Sequence, residues 1–69
     1  MKTRVKELRT KHKMSQEELA NALGVTRQTI MSIENEKYVA SLPLAYKIAS
    51  YFELSIEEVF ILSEIKEEI

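Results

Sequence analysis

The sequence predicts an all-α fold, a compact bundle of five short helices, and three observations support this prediction. No segment alternates apolar and polar residues as a half-buried strand does. Residues that cap helix N-termini recur four times, at Ser15, Thr26, Ser41 and Ser55. Between these caps the apolar residues are spaced three or four positions apart, as on one face of a helix. With 69 residues, the chain is expected to form a single domain over residues 1–69.

The first two helices are predicted from apolar spacing and a capping box. Val5 and Leu8 mark one face of a helix over about residues 2–12. Ser15 is followed three residues later by Glu18, which is the pattern of a capping box, so the second helix begins there.

The second helix is expected to end at Gly24, the only glycine of the chain. A positive φ after a helix costs glycine nothing and other residues about 1 kcal/mol or more. Thr26 then caps a third helix, in which Ile30 and Ile33 face inward. Its remaining side chains are predicted to face solvent: Arg27, Gln28, Met31 and Ser32.

Two further helices follow a loop over residues 35–40. Ser41 caps the fourth helix, and Pro43 is tolerated in its first turn because a backbone donor is unpaired there. Ser55 begins a fifth helix that is expected to include Val59 and Phe60. The last residues, 61–69, are interpreted as a dimerisation tail, with packing against the domain as the alternative. Its apolar members are Ile61, Leu62, Ile65 and Ile69.

The composition argues against several classes of protein. All eleven acidic residues are Glu. The chain contains no Cys or Trp, and His12 has no second imidazole with which to bind a metal. We therefore expect no enzyme activity, metal site or cofactor. No apolar stretch approaches the roughly 20 residues that span a bilayer. We therefore expect a cytoplasmic protein without a membrane partner, and no small-molecule ligand is evident.

Charge is divided unevenly along the chain. Residues 1–40 contain eight Lys and Arg against five Glu, a net charge of +3, whereas residues 41–69 contain two against six, a net charge of −4. This asymmetry suggests a basic working face, although solvated charges without an electrostatic role would give the same division.

The second and third helices have the spacing of a helix-turn-helix motif, in which two short helices flank a turn that contains glycine. Ala20 falls where the two helices cross, and only a small side chain fits there. A helical bundle with a chance glycine between two helices would match the same geometry.

Three runs of sequence resemble the phage-repressor and Cro-like (XRE) helix-turn-helix regulators: MSQEELA at 14–20, LGVTRQTI at 23–30 and IEN at 33–35. The chain looks closest to the small stand-alone bacterial members, and the likeness covers about residues 3–60. It implies a lambda-repressor-like domain with the helix-turn-helix formed by helices 2 and 3.

The resemblance also implies roles for particular residues. Base edges in the major groove would be read by Thr26, Arg27, Gln28, Met31 and Ser32. For Arg27 a phosphate contact or plain solvent exposure is the alternative. Phosphates would be contacted by Gln16, Thr29, Asn35, Lys37 and Tyr38, and for the last four simple surface exposure is the alternative. Arg9 would pair with Glu34 as a structural ion pair. Unlike many stand-alone members, this chain has Glu36 rather than glycine before the loop lysine.

The function expected from these features is sequence-specific binding of double-stranded DNA by a homodimer, at a short inverted repeat, to regulate and most simply to repress transcription. A protein-interaction module, such as an antitoxin or anti-regulator built on the same helices, is the alternative. Salt separates the two hypotheses, because DNA binding weakens steeply as salt rises and an apolar contact does not.

Overall fold

The computed structural model describes residues 2–37 and 40–61, and within these ranges it contains five helices. They are α1 (Val5–Lys11), α2 (Gln16–Leu23), α3 (Arg27–Glu34), α4 (Leu42–Tyr51) and α5 (Ile56–Val59). The all-α fold class is confirmed. None of the helices in the described ranges has both the length and the apolar character needed to cross a membrane.

The predicted caps begin the helices. Glu18 N–H donates to Ser15 Oγ over 3.0 Å and Ser15 N–H donates to the Glu18 carboxylate over 2.7 Å, which completes the capping box of α2. Thr26 Oγ1 accepts from Thr29 N–H at the start of α3, and Ser41 Oγ accepts from Leu44 N–H at the start of α4, both over 3.3 Å. These bonds satisfy backbone donors that have no partner within the helix.

Four helix ends turn through the left-handed region. Gly24 does so after α2, with φ 72°. Lys13, Glu36 and Glu53 adopt φ values of 57°, 62° and 59° after α1, α3 and α4. Only the turn at Gly24 was expected from the sequence, because the other three positions hold residues that rarely adopt this conformation.

One apolar core joins all five helices, and the residues predicted for the inner faces of α1 and α3, Val5, Leu8, Ile30 and Ile33, are buried in it. Ile30 and Ile33 are fully buried, which fixes the inner face of α3. The buried side chains are those of Val5, Leu8, Leu19, Ala20, Leu23, Ile30, Ile33, Ala45, Ile48, Ala49, Phe52, Val59 and Phe60.

The two ends of the described chain pair in extended conformation, which corrects the predicted first and fifth helices. Thr3 and Phe60 form an antiparallel bridge, flanked by bonds from Arg4 N–H to Val59 C=O (2.8 Å) and from Ile61 N–H to Lys2 C=O (2.9 Å). Helix α1 therefore begins at Val5 rather than near residue 2, and Phe60 lies beyond α5. The reason is that a backbone bonded to a second segment cannot also continue a helical ladder. The expected tail lies outside the described residues after Ile61.

Candidate nucleic-acid interface

The first turn of α3 presents polar side chains to solvent. Arg27 and Gln28 are exposed, as is Thr26, the residue that caps the helix. The Thr26 and Thr29 hydroxyls lie 3.0 Å apart, so each has a partner within this turn. The outer face of α3 is thus held in place by its own cap and carries one guanidinium and one amide.

Met31 and Ser32 were expected to be exposed like Arg27, but both are half-buried. The backbone at this end of α3 closes with an ordinary helical bond, from Asn35 N–H to Met31 C=O over 2.9 Å, and a wider one, from Lys37 N–H to Ser32 C=O over 3.1 Å. The exposed part of α3 is therefore concentrated in its first turn.

A partly buried ion pair holds the other end of α3 against α1. Arg9 Nε donates to Glu34 Oε2 over 2.7 Å and Arg9 Nη2 donates to Glu34 Oε1 over 3.1 Å, while the side chains are only 13% and 3% exposed. Arg9 Nη1 also donates to Met14 C=O over 2.7 Å. The hydrogen bond to Glu34 raises the pKa of the Arg9 guanidinium, although burial opposes this shift. Two nitrogens of one guanidinium thus donate to the two oxygens of one carboxylate, which is a bidentate charge-assisted contact.

Gln16, the first residue of α2, joins the same network. Its Nε2 donates to Glu34 Oε1 over 3.1 Å, and the side chain is half-buried. A single carboxylate on α3 thus accepts bonds from α1 and α2. The sequence analysis assigned Gln16 only to a phosphate and missed this contact, because no spacing rule relates residues that are 18 positions apart on different helices.

An open groove of about 410 Å³ runs beside the first turns of α2 and α3. Its lining residues are Arg9, Ser15, Gln16, Glu17 and Arg27. The fold therefore brings Gln16, a predicted phosphate contact, to the same groove as Arg27, a predicted base contact. Glu17 is the acidic member of this groove and was not considered from sequence.

The helix-turn-helix family model matches residues 5–59 of the chain. The chain belongs to the helix-turn-helix family of the Cro/C1 (XRE) type. The matched span contains all five helices that the structure describes, from α1 to α5.

Relatives of similar sequence occur in archaea and bacteria. An HTH-type transcriptional regulator of Archaeoglobus fulgidus is 55% identical over 64 residues, which cover 93% of this chain and 90% of the relative. One from Methanocaldococcus jannaschii is 52% identical over 61 residues, covering 88% of this chain and 92% of the relative. One from Bacillus subtilis is 52% identical over 64 residues, which cover 93% of this chain and 97% of the relative.

The remaining predicted phosphate contacts of this helix-turn-helix protein lie after α3, apart from the half-buried Thr29. Asn35 ends α3 and is exposed, and so is Lys37. Glu36 lies between them with a positive φ. Tyr38 lies outside the described residues. Within the described ranges, no three His or Glu side chains are grouped so that they could hold a metal ion.

Proposed function

We propose that this chain is a sequence-specific DNA-binding transcriptional regulator, and that α3 enters the major groove of its target. The observation that supports this function is the contrast within α3, where Arg27 and Gln28 are exposed while Ile30 and Ile33 are fully buried. Such a helix is fixed to the protein on one side and offers hydrogen-bonding side chains on the other. The major groove is about 12 Å wide and admits one α-helix. The relatives are HTH-type transcriptional regulators, which favours the same function.

Base reading is assigned first to Arg27 and Gln28. An arginine can donate two bonds to O6 and N7 of guanine, and a glutamine can pair with N6 and N7 of adenine. Both residues lie in the first turn of α3, which is the part of a recognition helix that reaches base edges. Thr26, Met31 and Ser32 are proposed to contribute the flanking contacts.

Backbone contacts are assigned to side chains on both sides of the α3 first turn. Gln16 lies at the N-terminus of α2, where the helix dipole favours a phosphate. Thr29, Asn35, Lys37 and Tyr38 are proposed as the other contacts. Lys37 is the cation of this set, so it accounts for counterion release on that side.

The chain is proposed to act as a homodimer at a short inverted repeat and to repress transcription by occluding a promoter. A two-fold dimer of helix-turn-helix units places its recognition helices in successive major grooves, about 10 to 10.5 bp apart. The apolar residues of 61–69 are proposed to join the protomers. A small domain with a limited core gains stability from such an association.

Selection of bound duplexes from a random DNA pool tests the proposed function. The selected duplex and a scrambled duplex are then titrated at about 50 and 200 mM salt. We expect the selected duplex to bind about a thousandfold or more tightly than the scrambled one, with a steep loss of affinity in salt. Equal affinity for both duplexes, or no binding at low salt, would overturn the proposal. Binding to a protein with no salt dependence would favour the interaction module instead.

A further inference from the structure

Glu34 accepts more hydrogen bonds than its ion pair requires. Arg9 alone reaches both carboxylate oxygens, Oε2 through Nε and Oε1 through Nη2. The bond from Gln16 Nε2 to Oε1 is additional. A role in satisfying the buried charge therefore does not explain why Gln16 points to Glu34.

The chemistry of Glu34 determines which way round the Gln16 amide is held. An ionised carboxylate only accepts hydrogen bonds, so the nitrogen of the amide, and not its oxygen, must face it. The nitrogen has two hydrogens, and one of them is used by Glu34 Oε1. The second N–H is left for another acceptor, and Gln16 lines the open groove together with Ser15 and Arg27.

Glu34 also links this donor to the base-reading end of α3. Glu34 and Arg27 lie seven residues apart on one helix, which is about two turns. The Glu34 side chain is only 3% exposed and is held by Arg9, so its position is restrained. The bond to Glu34 thereby fixes the position of the Gln16 amide, on α2, relative to α3, the helix that carries Arg27.

We propose that Glu34 is a positioning residue for DNA binding: its bond to Gln16 Nε2 orients the Gln16 amide so that the second N–H meets a backbone phosphate. This inference rests on the proposed function and specifies how one of its phosphate contacts is prepared. Glu34 itself touches no DNA in this proposal and acts only through Gln16.

A double-mutant cycle tests the proposal. The affinities of the wild type, Glu34→Gln, Gln16→Ala and the double variant for the selected duplex are measured at one salt concentration, below the lowest melting temperature of the set. Glu34→Gln is expected to weaken binding about tenfold in the wild-type background, and less than about twofold when Gln16 is already alanine. An equal loss in both backgrounds would mean that Glu34 acts on the fold in general, and would overturn the proposal.

Glu7→Gln is the matched control. It removes the same charge from an exposed carboxylate, one that is paired with Arg4 on α1 over 3.0 Å. Its affinity for the selected duplex is expected to stay within about twofold of the wild type. A tenfold change in this control would show that loss of negative charge alone explains the effect of Glu34→Gln, which would also overturn the proposal.

A measurement on the wild-type protein covers the case in which Glu34→Gln does not fold. The two side-chain amide protons of Gln16 are followed by ¹⁵N–¹H NMR while the selected duplex is added. The resonance of the proton that faces the phosphate is expected to shift strongly, and that of the proton hydrogen-bonded to Glu34 to stay nearly unchanged. If both keep their positions in the complex, the proposal is wrong while the proposed function still holds. If the wild type binds no duplex at all, both fail.

Discussion

Arg27 is the side chain on which base recognition depends most in the proposed complex. It is exposed in the first turn of α3, and it lines the groove that also contains Gln16. Its guanidinium is planar and can form two bonds to one guanine.

Arg27→Ala is expected to cost about 1 to 3 kcal/mol of binding free energy on the selected duplex and to relax the choice at one base pair. The substitution removes a bidentate contact without touching the core, so the melting temperature should stay close to that of the wild type. Gel-shift titrations on the selected duplex, on single-base variants of it and on scrambled DNA measure both effects. Equal losses on selected and scrambled DNA would show that Arg27 contacts only the backbone.

Lys37→Ala is expected to behave differently, since Lys37 is assigned to a phosphate. Binding to selected and scrambled duplexes should weaken by the same factor, and the slope of log affinity against log salt should decrease by about one. Titrations at several salt concentrations give this slope. Lys11→Ala, which removes a charge from the last turn of α1, is the matched control and should change the slope less. A loss confined to the selected duplex would contradict the phosphate assignment.

The turns after α1, α2, α3 and α4 each contain a residue with a positive φ, and these residues differ in how easily they adopt it. Gly24 adopts φ 72° without strain, whereas Lys13, Glu36 and Glu53 adopt similar angles with a side chain attached. A Cβ atom at Gly24 would lie 3.6 Å from Lys47 Nζ, an ordinary contact, so the need for glycine there comes from the backbone angle alone.

Glu53→Gly is expected to stabilise the protein by roughly 0.5 kcal/mol. The gain is the strain removed at φ 59°, reduced by the greater freedom of glycine in the unfolded chain. Gly24→Ala should have the opposite sign and cost about 1 kcal/mol. In thermal unfolding of a domain of this size, the melting temperature should rise by about 2 to 4 °C for Glu53→Gly and fall by about 4 to 8 °C for Gly24→Ala. A fall in melting temperature for Glu53→Gly would show that the Glu53 side chain contributes more than its strain costs.

The start of α5 makes stability depend on pH. Ser55 N–H donates to the Glu58 carboxylate over 2.8 Å. This bond, together with the hydrogen bond from the Ser55 side chain, lowers the pKa of Glu58 below its usual value near 4.5; burial opposes the shift slightly, and Arg4 adds a smaller attraction. Because the folded pKa is the lower one, the carboxylate stabilises the fold above the unfolded pKa. This contribution is lost as the pH falls through the folded pKa.

Between about pH 5.5 and pH 3, the melting temperature of Glu58→Gln should therefore fall less than that of the wild type. The difference arises because the variant has no carboxylate to protonate at this cap. Glu57→Gln is the matched control, since Glu57 is the exposed neighbour in the same turn and should retain the wild-type dependence on pH. Identical pH profiles for Glu58→Gln and the wild type would contradict the assigned role of Glu58.

At the scale of the whole molecule, two sets of contacts outside the apolar core connect distant parts of the chain. The bridge between Thr3 and Phe60 joins the two ends of the described domain. The network of Arg9, Gln16 and Glu34 joins α1, α2 and α3. Removing one member of the Arg9–Glu34 pair leaves the other charge, which is largely shielded from solvent, without its partner, so the fold is expected to lose stability.

The proposed homodimer predicts a dependence on the spacing of half-sites. Inserting about 5 bp between the two halves of the selected repeat places the second major groove on the opposite face of the duplex, so affinity should fall to that of a single half-site. Inserting about 10 bp restores the face, and binding should recover in part. Ile65→Glu, in the proposed dimerisation tail, should bind all three duplexes with the affinity of a half-site. If the wild-type protein binds the three duplexes with equal affinity, it binds as a monomer.

The sequence by itself determined that helices form here, where α2, α3 and α4 begin, and which face of α3 is buried. Caps at Ser15, Thr26 and Ser41, and the buried spacing of Ile30 and Ile33, are local properties, because a capping bond spans three residues and a helical face repeats every three or four. The exposure of Arg27 and Gln28 follows from the same periodicity.

The tertiary structure decided what depends on residues that are distant in the chain. The bond from Gln16 to Glu34, the groove that collects Gln16 and Arg27, and the pairing of Thr3 with Phe60 each require the helices to be packed first. The partial burial of Met31 and Ser32 was likewise not predicted from the helical spacing of α3. Spacing rules describe one helix or strand at a time, whereas the partners of these polar groups are set by how the helices pack together.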